Sequence, residues 1–215
     1  VNTPLFKEVA IENYTDLPAA IAAGANRIEL NDNLAVGGTT VSRGVMSESS
    51  RYAAEHHIPL TVMIRPRGGN FVYNDTEIKI MEADLFSAQE LGVDGVVFGA
   101  LTPDNKLDTD ALEQLMAAAG GMSVTFHMAF DAISPDDQPA AIDWLADHDV
   151  DRILTHGGPL ATPIDQTLPQ LKKLVETASG RLIIMPGGGI TVGNVDHIAE
   201  VLSVKEVHGT HLLKY

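Results

Sequence analysis

Short β-branched and apolar runs alternate with amphipathic segments eight times along the 215 residues, at a spacing of roughly 25 to 30 residues. No linker or low-complexity stretch interrupts them. These two observations predict an α/β fold, a single TIM (β/α)8-type barrel over 1–215. A doubly wound open sheet would need a strand-order switch and rarely uses eight such even units. A third observation shapes the expectation: the chain reaches Tyr215 soon after its last β-rich run, so the eighth helix is expected to be short or missing.

In order, the first strand is expected over 7–12. A helix follows over 15–23, with Thr15 as cap, Pro18 in its first turn and Gly24 as stop. The second strand is 27–31 and its helix 41–57. The third strand, 59–65, must stop near Pro66, which cannot donate to a ladder. Helix 76–91 is expected to be capped by Asp75 or Thr76 and ended by Gly92. Strand 95–101 leads to helix 109–119, ended by Gly120 and Gly121, and strand 123–130 leads to helix 135–148. Strands 152–156, 181–185 and 205–208 complete the set, with helices 163–178 and 191–202 between them. The apolar surface around strand eight (Val207, Leu212, Leu213) is expected to be covered by the N-terminal segment or by another subunit.

Composition excludes several function classes. A net charge of −15 argues against nucleic acid and against anionic membranes, both of which call for clustered Lys and Arg. No apolar run approaches a membrane span, and the N-terminus V-N-T-P-L-F-K-E lacks a signal-peptide pattern. With no cysteine, disulfides, thiolate ligands and a Cys nucleophile are excluded together. A soluble cytoplasmic protein is the expectation.

Where the third strand breaks, the chain reads R-P-R-G-G from Arg65 to Gly69. Arg presents a planar fork of donors suited to carboxylate or phosphate. Arg65 and Arg67 are therefore expected to bind an anion, the alternative being that Arg65 pairs with a buried acid. Period-two alternation puts Val9, Ile11, Ile28, Leu30, Val62, Ile64, Val124 and Phe126 towards the helices. The inward parity then holds Glu8, Ala10 and Glu12, Glu29 and Asn31, Met63 and Arg65, Thr125 and His127, and Glu206 and His208.

Such a set can plug the barrel with salt bridges, or form an active site at the C-terminal mouth, or do both. His127, Glu29, Glu8 and Arg65 are the catalytic candidates. His127 would act as general acid/base, with an unperturbed pKa of about 6.5, while Glu29 or Glu8 orients it. Gly187, Gly188 and Gly189 precede the last helix, where a barrel often holds phosphate. His208 stands at the matching end of strand eight and joins them as a binding candidate. No HExxH, P-loop or GxSxG pattern occurs, and His156 has no evident partner.

Several motifs carry a family resemblance. R-I-E-L (27–30), G-G-T-T (37–40), M-I-R-P-R-G-G-N-F-V-Y (63–73), V-F-G-A-L (97–101), V-T-F-H-M-A-F-D (124–131), R-I-L-T-H-G-G (152–158), M-P-G-G-G-I-T (185–191) and E-V-H (206–208) appear in order over nearly the whole chain. They resemble the CutC copper homeostasis proteins. The resemblance implies a cytoplasmic TIM barrel, often a homo-oligomer, that binds or handles copper. Members often carry Cys where this chain has Ala10 and Asn31, and an Arg where it has Met128. Those cysteines are the proposed soft Cu(I) ligands. Without them the metal candidates are His127 and His208, with Met63 or Met185. Three functions are thus expected: copper handling, a barrel enzyme acting on a small anionic or phosphorylated metabolite, or a sensor that binds at the same mouth without turnover.

Overall fold

The computed structural model describes residues 4–215. Its elements are β1 (Phe6–Glu12), α1 (Leu17–Ala22), β2 (Arg27–Asn31), α2 (Arg43–Glu55), β3 (Leu60–Met63), α3 (Asp75–Glu90), β4 (Gly95–Phe98), α4 (Thr109–Ala118), β5 (Ser123–Phe126), α5 (Gln138–Asp147), β6 (Arg152–Thr155), α6 (Ile164–Ala178), β7 (Ile183–Pro186), α7 (Val195–Leu202) and β8 (Glu206–Gly209). Two 3-10 turns, Leu34–Val36 and Met128–Ala132, lie at the mouth.

The eight strands form one parallel sheet in the order β7-β6-β5-β4-β3-β2-β1-β8. Among the described residues β7 and β8 share no ladder. The ring closes beyond their C-terminal ends, where Thr191 bridges His211 and Val192 N–H donates to His211 O at 3.0 Å. The fold is therefore a nearly closed TIM-type barrel; among the described residues it has seven α-helices, none of them after β8.

The alternation of side chains holds. Val9, Ile11, Ile28, Leu30, Val62, Phe98, Phe126 and Val207 belong to the hydrophobic layer shared with the helices. Fully burying one such side chain stabilises the fold by about 1.5–3 kcal/mol. Val207 and Leu212 are 0% exposed within a single chain. Leu213 is partly buried, so of the surface expected to be covered by the N-terminal segment or another subunit, Val207 and Leu212 are already covered within the chain, where β1 pairs with β8.

Element ends differ from the sequence reading for local reasons. α3 is capped by Asn74 rather than by Asp75 or Thr76: its side chain accepts from Glu77 N–H while the Glu77 carboxylate accepts from Asn74 N–H. β5 stops at Phe126 because His127 turns to accept from Ala129 N–H. α7 starts only at Val195. Asn194 ties the preceding turn instead, accepting from Thr191 N–H at 2.8 Å and donating to Gly189 O at 2.9 Å.

Candidate functional site

Parallel register places Glu8 of β1 beside Arg27 of β2 and His208 of β8. The Arg27 guanidinium donates from Nε to Glu8 Oε2, and from Nη2 to Glu206 Oε2 at 2.8 Å. Arg152 Nε reaches the same Glu206 oxygen at 3.2 Å. His208 Nδ1 donates to Glu8 Oε1 at 2.7 Å and lies 3.9 Å from Glu29 Oε2. Asn31 Nδ2 donates to Glu29 Oε1 at 2.8 Å, whereas Glu29 Oε2 is buried without a partner. Two guanidiniums and an imidazole thus face three carboxylates inside the barrel.

The environment sets the protonation of each. Burial pushes the Glu8 carboxyl up, but the His208 hydrogen bond and the Arg27 charge outweigh it and bring it down to about 2. Glu29 is raised, chiefly by burial and then by the neighbouring Glu8 charge, only partly offset by His208 and Asn31. Burial alone would lower His208, yet Glu29 and Glu8 together raise it. The carboxylates thus favour the charged form of His208, while burial favours the neutral form of Glu29.

Above this network opens a cavity of about 270 Å³ at the mouth. Ala10, Leu34, Met63, Met128, Leu154, Leu160 and Ile190 form most of its wall, and Glu29, His127, His208, Thr210 and His211 supply the polar groups. Gly188 and Gly189 also line it, both at positive φ. Gly187 sits behind them, its N–H donated to Thr155 O and its carbonyl facing His156. Of the sequence candidates, Glu29, His127, His208, Gly188 and Gly189 converge on the cavity, while Glu8 lies beneath it holding His208.

The two arginines take other roles. Arg65 Nη1 donates to Val36 O at 2.6 Å and to Gly38 O at 2.9 Å, and Nη2 donates to Gly69 O at 2.9 Å. Its guanidinium lies over the Phe71 ring. Arg67 Nε donates to Glu77 Oε1 at 2.6 Å, and its remaining nitrogens hold the carbonyls of Gly68, Asn70 and Val72. The forks expected to clamp an anion instead staple the mouth loops, and neither side chain lines the cavity. Backbone carbonyls, not a buried acid, are what Arg65 serves.

His127 also departs from expectation. Its Nδ1 accepts from Ala129 N–H at 3.1 Å, so in the neutral ring Nε2 carries the proton, and that atom has no partner. Burial, reinforced by the Arg65 charge, pushes it down to about 3. It is a neutral donor at physiological pH rather than the acid/base first expected.

His156 was missed by the sequence reading. It is 1% exposed. Nδ1 lies 2.9 Å from Gly187 O and Nε2 lies 2.7 Å from Thr162 O, while its backbone N–H donates to Asp131 Oδ2. It ties the loop bearing Leu160 to the triglycine turn. Its place at the end of a barrel strand, shared with His127 and His208, was the available signal.

Among the described residues, one group of three candidate metal ligands forms, and it holds one of the two expected histidines. His208 groups with Glu8 and Glu29, whose ligand atoms all lie within 4.8 Å of one another, and His127 is not among them. A cation there would sit beside the Arg27 guanidinium and would displace the His208 proton from Glu8. The donors are carboxylate and imidazole, whereas Cu(I) prefers sulfur. Met185 Sδ already faces Arg27 Nη2 at 3.5 Å, and His127 Nε2, bearing the proton, offers no lone pair. The Glu8–Glu29–His208 group therefore does not fit a Cu(I) centre; of the soft-ligand candidates, Met63 lines the cavity, apart from that group.

Comparison with known proteins places the chain. A model described as CutC family matches residues 5–213. The family protein CutC of Enterococcus faecalis is 55% identical over 209 residues, covering 97% of this chain and 100% of the relative. The Homo sapiens copper homeostasis protein cutC homolog is 42% identical over 201 residues, covering 94% of this chain and 71% of the relative. A solved CutC structure from Streptococcus agalactiae superposes with a TM-score of 0.94 at 48% identity, covering 97% and 99% of the two chains. A deoxyribose phosphate aldolase from Aeropyrum pernix, 11% identical with a TM-score of 0.71 and covering 95% and 85% of the two chains, shares the barrel fold alone. Matched over almost its whole length by the family model and by these relatives, the chain belongs to the CutC family.

Proposed function

We propose that this CutC-family protein is a barrel enzyme acting on a small molecule in the mouth cavity, with Glu29 and His208 as its proton-transfer pair. The observation that carries this reading is the buried, unpartnered Glu29 Oε2 beside the His208 imidazole on the floor of a mostly apolar pocket. Buried groups of this kind are costly to leave unpaired, and they concentrate at functional sites. Glu8 and Arg27 position His208 by fixing its Nδ1, leaving Nε2 as its free nitrogen. The raised imidazole can give a proton and the raised carboxyl can carry one.

The copper association of the relatives' names enters this reading through the small molecule handled, since the donor set is poor for Cu(I). We further propose a cytoplasmic location, in keeping with the absence of cysteine. No helix among the described residues is long and apolar enough to cross a membrane.

The test is untargeted mass spectrometry of a cell metabolite extract incubated with wild type, Glu29→Gln or His208→Asn protein. Time-dependent loss of one metabolite and growth of its product, abolished in both folded variants, is expected. A Cu(I) titration against a competing chelator runs alongside. Tight stoichiometric Cu(I) binding with no change in the extract overturns the enzyme reading in favour of copper as cargo.

A further inference from the structure

The charges lining the mouth cavity, resting on the small-molecule reading above, define what the ligand is. Among the described residues, the lining holds no Lys or Arg side chain to pair with an anion. Arg65 and Arg67 are outside the lining, the Arg65 Nη nitrogens on carbonyls with Nε unpartnered and Arg67 on carbonyls and Glu77, and His208 Nδ1 is held by Glu8 while its Nε2 stays free. The two buried side-chain atoms of the lining that lack partners are His127 Nε2 and Glu29 Oε2. Both residues are more than nine-tenths buried, at 4% and 3% exposed.

The tautomer of His127 is fixed by its own turn. Ala129 N–H occupies Nδ1, so Nε2–H is a donor awaiting an acceptor. Gly99 permits this placement: a Cβ there would lie 2.7 Å from the ring's Cε1 and 2.9 Å from Nδ1. Phe71 packs against the ring at 4.8 Å between centroids. A neutral imidazole with one fixed N–H polarises a carbonyl without transferring a full charge to it.

We propose that the cavity takes a small, uncharged, carbonyl-bearing molecule whose oxygen accepts from His127 Nε2–H, making His127 a catalytic residue that acts as a neutral electrophile. Glu29 and His208 then stand on the same ligand as the groups that exchange its protons. The apolar wall of Met63, Met128, Leu154 and Ile190 holds the remainder of the molecule.

The experiment is histidine side-chain NMR and thermal melting of the whole protein with cyclohexanone, cyclohexanecarboxylate and inorganic phosphate as probes. Wild type is compared with His127→Asn, whose amide oxygen can still accept from Ala129 N–H while the distal donor is gone. Cyclohexanone is expected to move the His127 Nε2–H resonance and raise the melting temperature, the two anions to do neither, and His127→Asn to lose the ketone response while melting as a folded protein. Preferential binding of carboxylate or phosphate overturns the uncharged-ligand inference and leaves the pocket reading standing. An unchanged ketone response in His127→Asn overturns the role of His127. No response to cyclohexanone overturns the carbonyl inference, while turnover in the metabolite extract and its loss in Glu29→Gln judge the enzyme reading separately.

Discussion

Replacing Arg65 with Lys distinguishes a staple from an anion clamp. The guanidinium makes three charge-assisted bonds, to Val36 O, Gly38 O and Gly69 O, with the residue 5% exposed. A lysine ammonium at the end of a flexible stem cannot reproduce a planar fork, so it serves at best one of these carbonyls. Two bonds to a charged donor are lost, each worth about 1.5–3 kcal/mol, which puts the expected cost at about 3–6 kcal/mol. Against a total stability of about 5–15 kcal/mol for a domain, that is a large fraction. Urea unfolding of both proteins, compared at constant m-value, reads it directly. An anion clamp makes the opposite forecast, since removing its fork would spare stability and cost only ligand affinity. A measured loss below about 1 kcal/mol, less than one such bond, refutes the staple.

Acid should weaken the fold through Glu8. Its folded pKa, about 2, lies below the ordinary value of 4.5, so its contribution is present above the unfolded value and is lost as pH falls towards the folded one. The contribution is of order 3 kcal/mol, and melting between pH 5 and 2 should be flatter in Glu8→Gln. His208 works with the other sign: raised when folded, it stabilises fully below its unfolded pKa and loses that contribution as pH climbs through the raised value, a titration visible by NMR. Gly38→Ala should cost at least about 1–3 kcal/mol, because the residue holds φ +94° and a Cβ would lie 2.3 Å from Asn31 Oδ1. Displacing Asn31 should also loosen its bond to Glu29, and a melting temperature equal to wild type would contradict this. Leu212→Ala should destabilise a single chain by about 2–5 kcal/mol, with an unfolding midpoint independent of protein concentration. A concentration-dependent midpoint would return that leucine to an interface between copies.

Much of this arrangement is legible in the sequence, because a strand's period of two needs no partner to be read. Glu8, Glu29 and His208 share the inward parity, and the structure brings those three together. The destination of Arg65 is not legible. Its acceptors Val36 and Gly38 lie on a loop 29 and 27 residues away, and nothing in a run of R-P-R-G-G specifies backbone carbonyls over a ligand. His127 illustrates a second limit. Its motif marks the residue, but only burial, the Ala129 N–H and the Arg65 charge turn it from a proton shuttle into a fixed donor. His156 failed for want of a side-chain partner to look for, since both its ring nitrogens face main-chain carbonyls.

The join between β7 and β8 has a mechanical meaning. Seven neighbouring strand pairs are laced by ladders, and among the described residues the eighth is joined by backbone pairing at the rim, through Thr191 and His211. Both of those residues, with Ile190 on one side and Gly209 and Thr210 on the other, also wall the cavity. A molecule seated there rests across the clasp of an otherwise continuous hoop. Occupancy should therefore tighten the whole ring, with amide protection rising first along β7 and β8 and least along β3 and β4 on the far side.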